Sequence, residues 1–401
     1  MKMKISKVEE AKRVLEPIIS KTPIVHADKI HDNLWIKAEN LQGTGAFKLR
    51  GAYYKLSNLT KEEKDKGVIA ASAGNHAQGV AYSCMKMGIK GTIVMPKTAP
   101  LSKIEATRSY GVDVELQGDT FNDAYEFAKK LQEKTGAVFI EPFNDEDVIA
   151  GQGTIGLEIL EKMPDVDMVL VPVGGGGLIS GIAYAIKTLY PSCKVIGVEA
   201  ENAPSMKNSL EKKQIVTLNS VNTIADGIAV KTPGTITYDI CSKYVDEIVT
   251  VSEEEIAAAI LTLVEKMKMV AEGAGAVSVA AAMFHKVDIE HNKCISVLSG
   301  GNIDVNLLSK IIDLGLMKTG RKAVVNMNVV DKPGNLSKIL GIISDTGANT
   351  ISVNHNRIQY GVSFSQCKVE IVIETNDKKH VKQVLDELNK KGYKPQISEY
   401  V

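Results

Sequence analysis

The 401-residue sequence predicts an α/β fold of two domains. Eight short apolar runs alternate with helical patterns over most of the chain. Uninterrupted Val/Ile/Leu runs between helices are typical of parallel strands covered on both faces. Near residue 320 the pattern changes to strands of alternating polarity. We therefore expect one domain over residues 1–320 and a second over residues 321–401.

The first domain is predicted to contain parallel β-sheet covered by helices on both faces. Helix-like segments such as AQGVAYSCMKMG (77–88) and EEEIAAAILTLVEKMKM (253–269) separate the apolar runs. The eight predicted strands are 68–72, 91–96, 112–116, 137–142, 168–173, 194–199, 247–252 and 294–301.

The second domain is predicted to be a ferredoxin-like βαββαβ unit, because its segments follow the order strand, helix, strand, strand, helix, strand. The strands are AVVNMNVV (323–330), TISVNHNRI (350–358), QCKVEIVIET (366–375) and a short final strand. The helices lie within 331–347 and 380–392.

Composition argues against several classes of partner and location. With 48 basic and 48 acidic residues, the chain carries no net charge to attract nucleic acid or an anionic membrane. Its five cysteines form neither paired zinc motifs nor a disulfide framework, and the N-terminus lacks the apolar core of a secretory signal. We expect a cytoplasmic protein. The uncharged stretch 168–186 contains Pro172 and several glycines, so it is predicted to be a strand, a loop and a helix rather than a membrane span.

Four consecutive glycines, 174–177, stand between a predicted strand and a predicted helix. Backbone N–H groups at the start of a helix bind phosphate well, so this loop is a candidate phosphate cradle. A dinucleotide-binding site is one alternative, and Glu199, at the end of the next strand, could bind its ribose. The GxGxxG motif of such sites is incomplete, however, because Ile179 or Ser180 occupies the place of the third glycine. A simple turn would need only one glycine.

Lys48 lies in a second glycine-rich segment, LQGTGAFKLRGA (41–52). A lone lysine is usually a solvated surface residue. Here Gly43 and Gly45 allow close backbone approach, and burial at the positive end of a helix would favour the neutral amine that Schiff-base chemistry requires. A phosphate cradle and an activated lysine together predict pyridoxal phosphate as cofactor.

Six segments in order resemble the motifs of the threonine dehydratase (threonine ammonia-lyase) family, in the tryptophan-synthase-like, fold type II class of pyridoxal phosphate enzymes. The resemblance covers about residues 1–318 and implies two open parallel-sheet subdomains, the smaller of which is inserted over roughly 50–145. The tail resembles an ACT domain, a regulatory module for small molecules. The segments are ENLQGTGAFKLRGA (39–52), SAGNHAQGVA (72–81), VPVGGGGLISG (171–181), TIADGIAV (223–230), AEGAGAVSVAA (271–281) and LSGGN (298–302).

The resemblance implies a role for each motif. Lys48 would hold the cofactor and then remove the substrate Cα proton. Asn75 would bind the phenolic oxygen of the cofactor, and Ser299 would face its ring nitrogen. A neutral hydroxyl at that nitrogen favours prompt loss of a β-substituent over transamination or racemisation. The phosphate would be bound by the backbone of Gly174, Gly175, Gly176, Gly177 and Leu178.

Other residues have two possible roles. Ser72 and His76 are candidates for binding the substrate carboxylate, but Ser72 could instead cap a helix and His76 could be structural. In the tail, Asp331, Gly334 and Asn335 are candidates for binding the carboxylate of an amino-acid effector. The alternative there is a turn with Asn335 as the helix cap.

Related families differ at informative positions. Cysteine and threonine synthases usually have Asp directly after the lysine, where this chain has Leu49. Serine racemase has a second serine where this chain has Ala73, which cannot transfer a proton. Dehydratases commonly have Ser in place of Ala46, which leaves the fine tuning of the lysine open. The sequence assigns no metal ligands: Glu199 and Ala203 match a racemase-like cation site, but Ser205 replaces its expected acid.

The resemblance implies β-elimination of L-threonine to 2-oxobutanoate and ammonia, and of L-serine to pyruvate, under allosteric control by an amino acid. It also implies a homodimer or homotetramer. A serine-preferring dehydratase, a serine racemase and a catalytically silent amino-acid sensor are the alternatives. The sequence identifies neither the effector nor the acid that assists hydroxide departure, for which the cofactor phosphate is one possibility.

Overall fold

The computed structural model describes residues 3–357 and 365–398, and the final residue of the strand predicted over 350–358 lies outside them. The chain divides into two compact units, one ending at Val305 and the other beginning at Asn306. The domain boundary at residue 320 stays a prediction.

The first unit contains two sheets. The larger has six strands in the order β1-β2-β10-β7-β8-β9, all parallel except β1. The smaller has four parallel strands in the order β5-β4-β3-β6. The strands are β1 (Ile24–His26), β2 (Leu34–Ala38), β3 (Val68–Ala71), β4 (Gly91–Met95), β5 (Asp113–Leu116), β6 (Val138–Phe139), β7 (Met168–Pro172), β8 (Lys194–Ala200), β9 (Glu247–Val251) and β10 (Cys294–Leu298).

Helices follow most of these strands and cover the two sheets. They are α1 (Ile5–Leu15), α2 (Lys48–Ser57), α3 (Lys61–Lys66), α4 (Asn75–Met87), α5 (Leu101–Arg108), α6 (Phe121–Thr135), α7 (Glu146–Lys162), α8 (Gly177–Leu189), α9 (Ser205–Glu211), α10 (Thr235–Tyr244), α11 (Glu253–Thr262) and α12 (Gly273–Met283). All five residues of β7 and of β10 are buried, as expected for strands covered on both faces.

All eight predicted strands of the first unit are present, and two more strands precede them. β1 pairs antiparallel with β2, so the larger sheet departs from the predicted parallel arrangement at that edge. β1 has only three residues, and β2 (LWIKA) carries a lysine at its fourth position. That lysine, Lys37, is 1% exposed and donates a hydrogen bond to Glu158 of α7 at 2.6 Å.

The second unit begins with most of α13 (Val305–Thr319) and then follows the predicted order of strands and helices. Its four strands form one antiparallel sheet in the order β12-β13-β11-β14. Alternate residues of β11 and β13 pack against the two helices that follow them. The elements are β11 (Lys322–Val330), α14 (Asn335–Asp345), β12 (Asn349–Asn356), β13 (Gln366–Glu374), α15 (Lys378–Lys390) and β14 (Gln396–Ile397).

The predicted strand, loop and helix over 168–186 are β7, the glycine loop and most of α8. Among the described residues, none of the helices combines the length and apolar character that a membrane crossing requires.

Candidate active site

A cavity of about 740 Å³ lies in the first unit, where β3, β7 and β10 end. The carboxyl ends of parallel strands are the usual place for ligands in open α/β sheets. The cavity brings together every residue of the first unit that the sequence assigns to the cofactor or the substrate. They are Lys48, Ser72, Asn75, His76, Gly174, Gly175, Gly176, Gly177, Leu178 and Ser299.

Lys48 is the first residue of α2. Its side chain is partly exposed, it lines the cavity, and its Nζ donates a hydrogen bond to the backbone oxygen of Pro142 at 2.8 Å. Desolvation lowers the pKa of Lys48 to about 8, although the nearby Glu272 carboxylate opposes the shift. The amine can therefore reach its neutral, nucleophilic form near neutral pH.

Asn75, the first residue of α4, is fixed through both ends of its amide. Its Nδ2 donates to Glu272 Oε1 at 2.6 Å, and its Oδ1 accepts from Asn302 Nδ2 at 2.8 Å. Asn302 Nδ2 also donates to the backbone oxygen of Thr44 at 2.8 Å, close to the lysine segment. This chain of hydrogen bonds orients Asn75 at the cavity wall.

The tetraglycine loop joins β7 to α8, whose first residue is Gly177. Gly176 has φ +92°, a left-handed conformation that favours glycine. A Cβ on Gly175 would lie 2.4 Å from the ring of Phe143, and one on Gly176 would lie 2.6 Å from Met206 Cε. The loop thus needs several glycines to pack in this position. Helix geometry leaves the first-turn N–H groups of α8 without intrahelical acceptors, beside the cavity.

Ser299 follows β10, is 2% exposed and donates a long, 3.4 Å hydrogen bond to the backbone oxygen of Ala274. The backbone oxygen of Ser299 accepts from the N–H of Phe47 at 3.0 Å, and Ala46 forms an isolated antiparallel bridge with Gly300. The lysine segment and the serine loop are therefore bound to each other through their backbones.

Ser72 and His76 make local contacts. Ser72 Oγ accepts from the N–H of Gly74 at 3.2 Å, and the cap position of α4 is Gly74 itself. His76 Nε2 contacts the backbone oxygen of Ile140 at 2.9 Å. A carbonyl only accepts, so Nε2 carries the proton and Nδ1 is an acceptor. Desolvation, aided by Lys48, lowers the pKa of His76 to about 3, so the ring is neutral.

Glu199, at the position of the incomplete cation pattern, is buried in β8. Its Oε1 and Oε2 each accept one backbone N–H at 2.9 Å, from Met206 and Lys207 in the first turn of α9. Burial raises the pKa of Glu199 to about 8. Glu199 therefore has a structural role, because it accepts N–H groups at the start of α9.

Glu272 and Asn302 also belong to the site, although neither was predicted from the sequence. Glu272 immediately precedes the almost wholly buried α12, lines the cavity and is 4% exposed. Desolvation, with Asp226 nearby, raises the pKa of Glu272 to about 7. The available signal was an acid directly before a run of small apolar residues, AEGAGAVSVAA. Asn302 closes the LSGGN motif and carried no separate signal.

The candidate effector residues lie in the second unit. Gly334 has φ +84° and is itself the residue before α14, so Asn335 is the first helical residue rather than its cap. Asn335 Nδ2 donates to the backbone oxygen of Val330 at 2.8 Å, which closes the turn. Asp331 pairs with Arg357, with 2.9 Å between Oδ2 and Nε.

Residues 15–300 match the family model described as pyridoxal-phosphate dependent enzyme. The chain belongs to this family. Lys48 and the tetraglycine loop that leads into α8 both lie within the matched residues and line the same cavity.

Known relatives carry related names. An L-threonine ammonia-lyase of Thermotoga maritima is 52% identical over 97% of this chain and 98% of that protein. The catabolic L-threonine dehydratase of Escherichia coli K12 is 49% identical over 77% of this chain and 95% of that protein. A solved structure, the processed form of threonine deaminase isoform 2 from Solanum lycopersicum, superposes with a TM-score of 0.74. It is 41% identical and covers 78% of this chain and 88% of its own.

Proposed function

We propose that this family member is an L-threonine ammonia-lyase, which converts L-threonine to 2-oxobutanoate and ammonia and L-serine, more slowly, to pyruvate. The observation that carries the proposal is the position of Lys48, a lysine of lowered pKa in the same cavity as the tetraglycine loop. The 52% identity to the Thermotoga maritima L-threonine ammonia-lyase over almost the full chain supports the choice of substrate.

The residues of the cavity fit pyridoxal phosphate. The N–H groups from Gly174 to Leu178 would hold the phosphate, because they stand at the positive end of α8. Asn75 would donate to the phenolic oxygen, and the Ser299 hydroxyl would face the ring nitrogen. Bound pyridoxal phosphate withdraws electrons from the substrate and so stabilises negative charge at Cα.

Lys48 is the proposed base. With a pKa of about 8, about a tenth of its amine is neutral at pH 7 and able to take the Cα proton. Loss of hydroxide from Cβ then completes the elimination, and the released enamine tautomerises to an imine that water hydrolyses to the keto acid and ammonia. Ala73, which lines the cavity, has no group that could return a proton to Cα, so the site favours elimination over the racemase alternative.

The substrate carboxylate is proposed to bind at the turn from Ser72 to His76, at the start of α4. Ser72 offers a hydroxyl there, and the helix start offers backbone N–H groups. His76 is a poorer ligand for the carboxylate. Its ring is neutral, and Nδ1, the nitrogen that does not contact Ile140, is an acceptor and cannot donate to a carboxylate oxygen. We propose that Ser72 binds the substrate carboxylate directly. His76 would instead hold this turn in place through its hydrogen bond to the backbone oxygen of Ile140, the residue that follows β6.

The test is replacement of Lys48 by Ala. We expect the variant to release no ammonia from L-threonine and to lose the visible absorbance of the bound cofactor. Lys103→Ala is the matched control, because Lys103 also lines the cavity but is paired with Asp226 at 2.6 Å. The control should keep the cofactor absorbance. Full turnover by Lys48→Ala would refute the proposal.

For the second unit we propose an ACT domain, over residues 321–401, that binds an amino-acid effector and takes part in forming a homodimer or homotetramer. The βαββαβ order and the turn at 331–335 support this assignment. The effector's carboxylate would bind to backbone N–H groups beside Gly334 and Asn335, where α14 begins.

A further inference from the structure

Three potential metal-ligand side chains converge in the second unit, outside the proposed catalytic site. They are Asp331, His355 and Cys367, and their ligand atoms all lie within 4.8 Å of one another. Asp331 follows β11, His355 belongs to β12, and Cys367 belongs to β13. The cluster therefore joins three neighbouring strands of one sheet.

Strand register explains the convergence. Cys367 is paired with Val329, two residues before Asp331, and His355 is paired with Val369, two residues after Cys367. Paired residues and residues two apart share a face of a sheet, so all three side chains project to the same side. Helices α14 and α15 cover this side of the sheet. The three ligands lie at the end of its row of buried side chains.

We propose that Asp331, His355 and Cys367 form a binding site for Zn²⁺ in the second unit. A thiolate, an imidazole and a carboxylate are the donors that zinc takes in tetrahedral sites, whereas calcium and magnesium prefer oxygen donors alone. Asp331 and His355 are exposed, so the fourth position faces solvent and can hold a water molecule.

The distances suit a small tetrahedral ion. Bond lengths of about 2.0 to 2.3 Å place tetrahedral ligand atoms ~3.5 Å apart. His355 Nε2 lies 2.9 Å from Cys367 Sγ and 3.9 Å from Asp331 Oδ1, so modest side-chain rotation makes room for the ion. Arg357 orients the carboxylate: its Nε lies 2.9 Å from Asp331 Oδ2, and its Nη2 donates a long, 3.4 Å hydrogen bond to Oδ1, the oxygen nearer the histidine.

A reactive thiol fits these surroundings less well. Cys367 is 1% exposed, so its sulfur is shielded from soluble reagents. Nucleophilic cysteines need an accessible thiolate of lowered pKa. Each of the other four cysteines is buried in the first unit, far along the chain from this group of ligands.

The experiment measures Zn²⁺ binding by the full-length holoenzyme, in competition with a chromophoric zinc chelator. We expect one Zn²⁺ per chain, and a zinc-edge X-ray absorption spectrum that contains a single sulfur scatterer at about 2.3 Å. Cys367→Ser and His355→Gln should each weaken binding by more than about tenfold, since even indirect changes around a metal cost that much.

Two controls keep the test decisive. Cys193→Ser alters a buried cysteine of the first unit and should leave zinc affinity unchanged. His355→Gln changes an exposed side chain, so it tests the site even where Cys367→Ser fails to fold. Equal zinc affinity in the wild type and His355→Gln, or a spectrum without sulfur, would overturn the proposal. Ammonia release is not the readout, so the outcome is independent of the proposed function.

Discussion

Lys48 and Glu272 lie in the same cavity, and their pKa values move toward each other. Burial lowers the pKa of the lysine to about 8 and raises that of the carboxyl group to about 7. Each group is therefore held near the pH at which it can exchange a proton, as acid and base catalysis requires. Glu272 accepts a hydrogen bond from Asn75 and so also orients the Asn75 amide.

The lowered pKa of Lys48 predicts how the rate at which the apoprotein takes up pyridoxal phosphate depends on pH. Only the neutral amine attacks an aldehyde, so the rate of uptake should rise with pH and level off above about 8. Glu272→Gln should move the profile to lower pH, because the carboxylate raises the pKa of Lys48 and glutamine carries no charge. Stopped-flow absorbance of the bound cofactor measures both profiles.

Glutamine can still accept the hydrogen bond from Asn75, so the variant isolates the effect of charge. A rate that does not change across neutral pH, or a Glu272→Gln profile moved to higher pH, would contradict the assignment of Lys48 as the titrating group.

Helix α2 carries Lys48 at its first residue and is anchored by a buried network of charges. Arg50 bonds to Glu39 at 2.8 Å and to Glu158 of α7 at 2.6 Å, and Lys37 of β2 also bonds to Glu158 at 2.6 Å. Two positive and two negative side chains thus balance one another in the interior. The network joins α2 to the sheet and to α7.

Removal of one partner should be strongly destabilising. We expect Glu158→Ala to lower the free energy of unfolding by about 3–5 kcal/mol, because Arg50 and Lys37 lose a buried counter-charge. Urea denaturation monitored by circular dichroism measures the change. Glu161→Ala is the control on the same helix: its partner is Lys12, the pair is exposed, and its effect should stay below about 1 kcal/mol. Equal effects would mean that the network does not stabilise the fold.

Sequence patterns predicted the elements whose signal is local. β7 is wholly apolar, β10 is apolar except for Ser296, and the alternation in β11 predicted the core face of the second unit. β2 was not predicted, because Lys37 interrupts its apolar run and the compensating Glu158 lies 121 residues later. The partnership of Asn75 with Glu272 was invisible for the same reason: it joins residues 197 apart.

The two units suggest a division between chemistry and control in the whole chain. Every proposed catalytic and cofactor residue lies before Asn306, and the candidate effector residues lie after it. The Escherichia coli dehydratase matches only 77% of this chain, yet the match includes 95% of that protein. About a quarter of this chain thus has no counterpart in that match.

Deletion of residues 322–401 should leave ammonia release from L-threonine intact and remove any response to amino acids. Steady-state kinetics with isoleucine, valine and serine as effectors, before and after deletion, measure this. The full-length chain is the control for stability and cofactor content. Kinetics that respond to none of these amino acids in either protein would argue against the proposed regulation.

The place of β10 in the larger sheet affects how the chain must be made. β10 is the last strand of that sheet to be synthesised, yet it lies between β2 and β7. Until residue 298 has emerged from the ribosome, β2 and β7 each have one unpaired edge. Unpaired strand edges promote aggregation. The order of synthesis therefore leaves the first unit dependent on its final strand, whose pairing covers both of these edges at once.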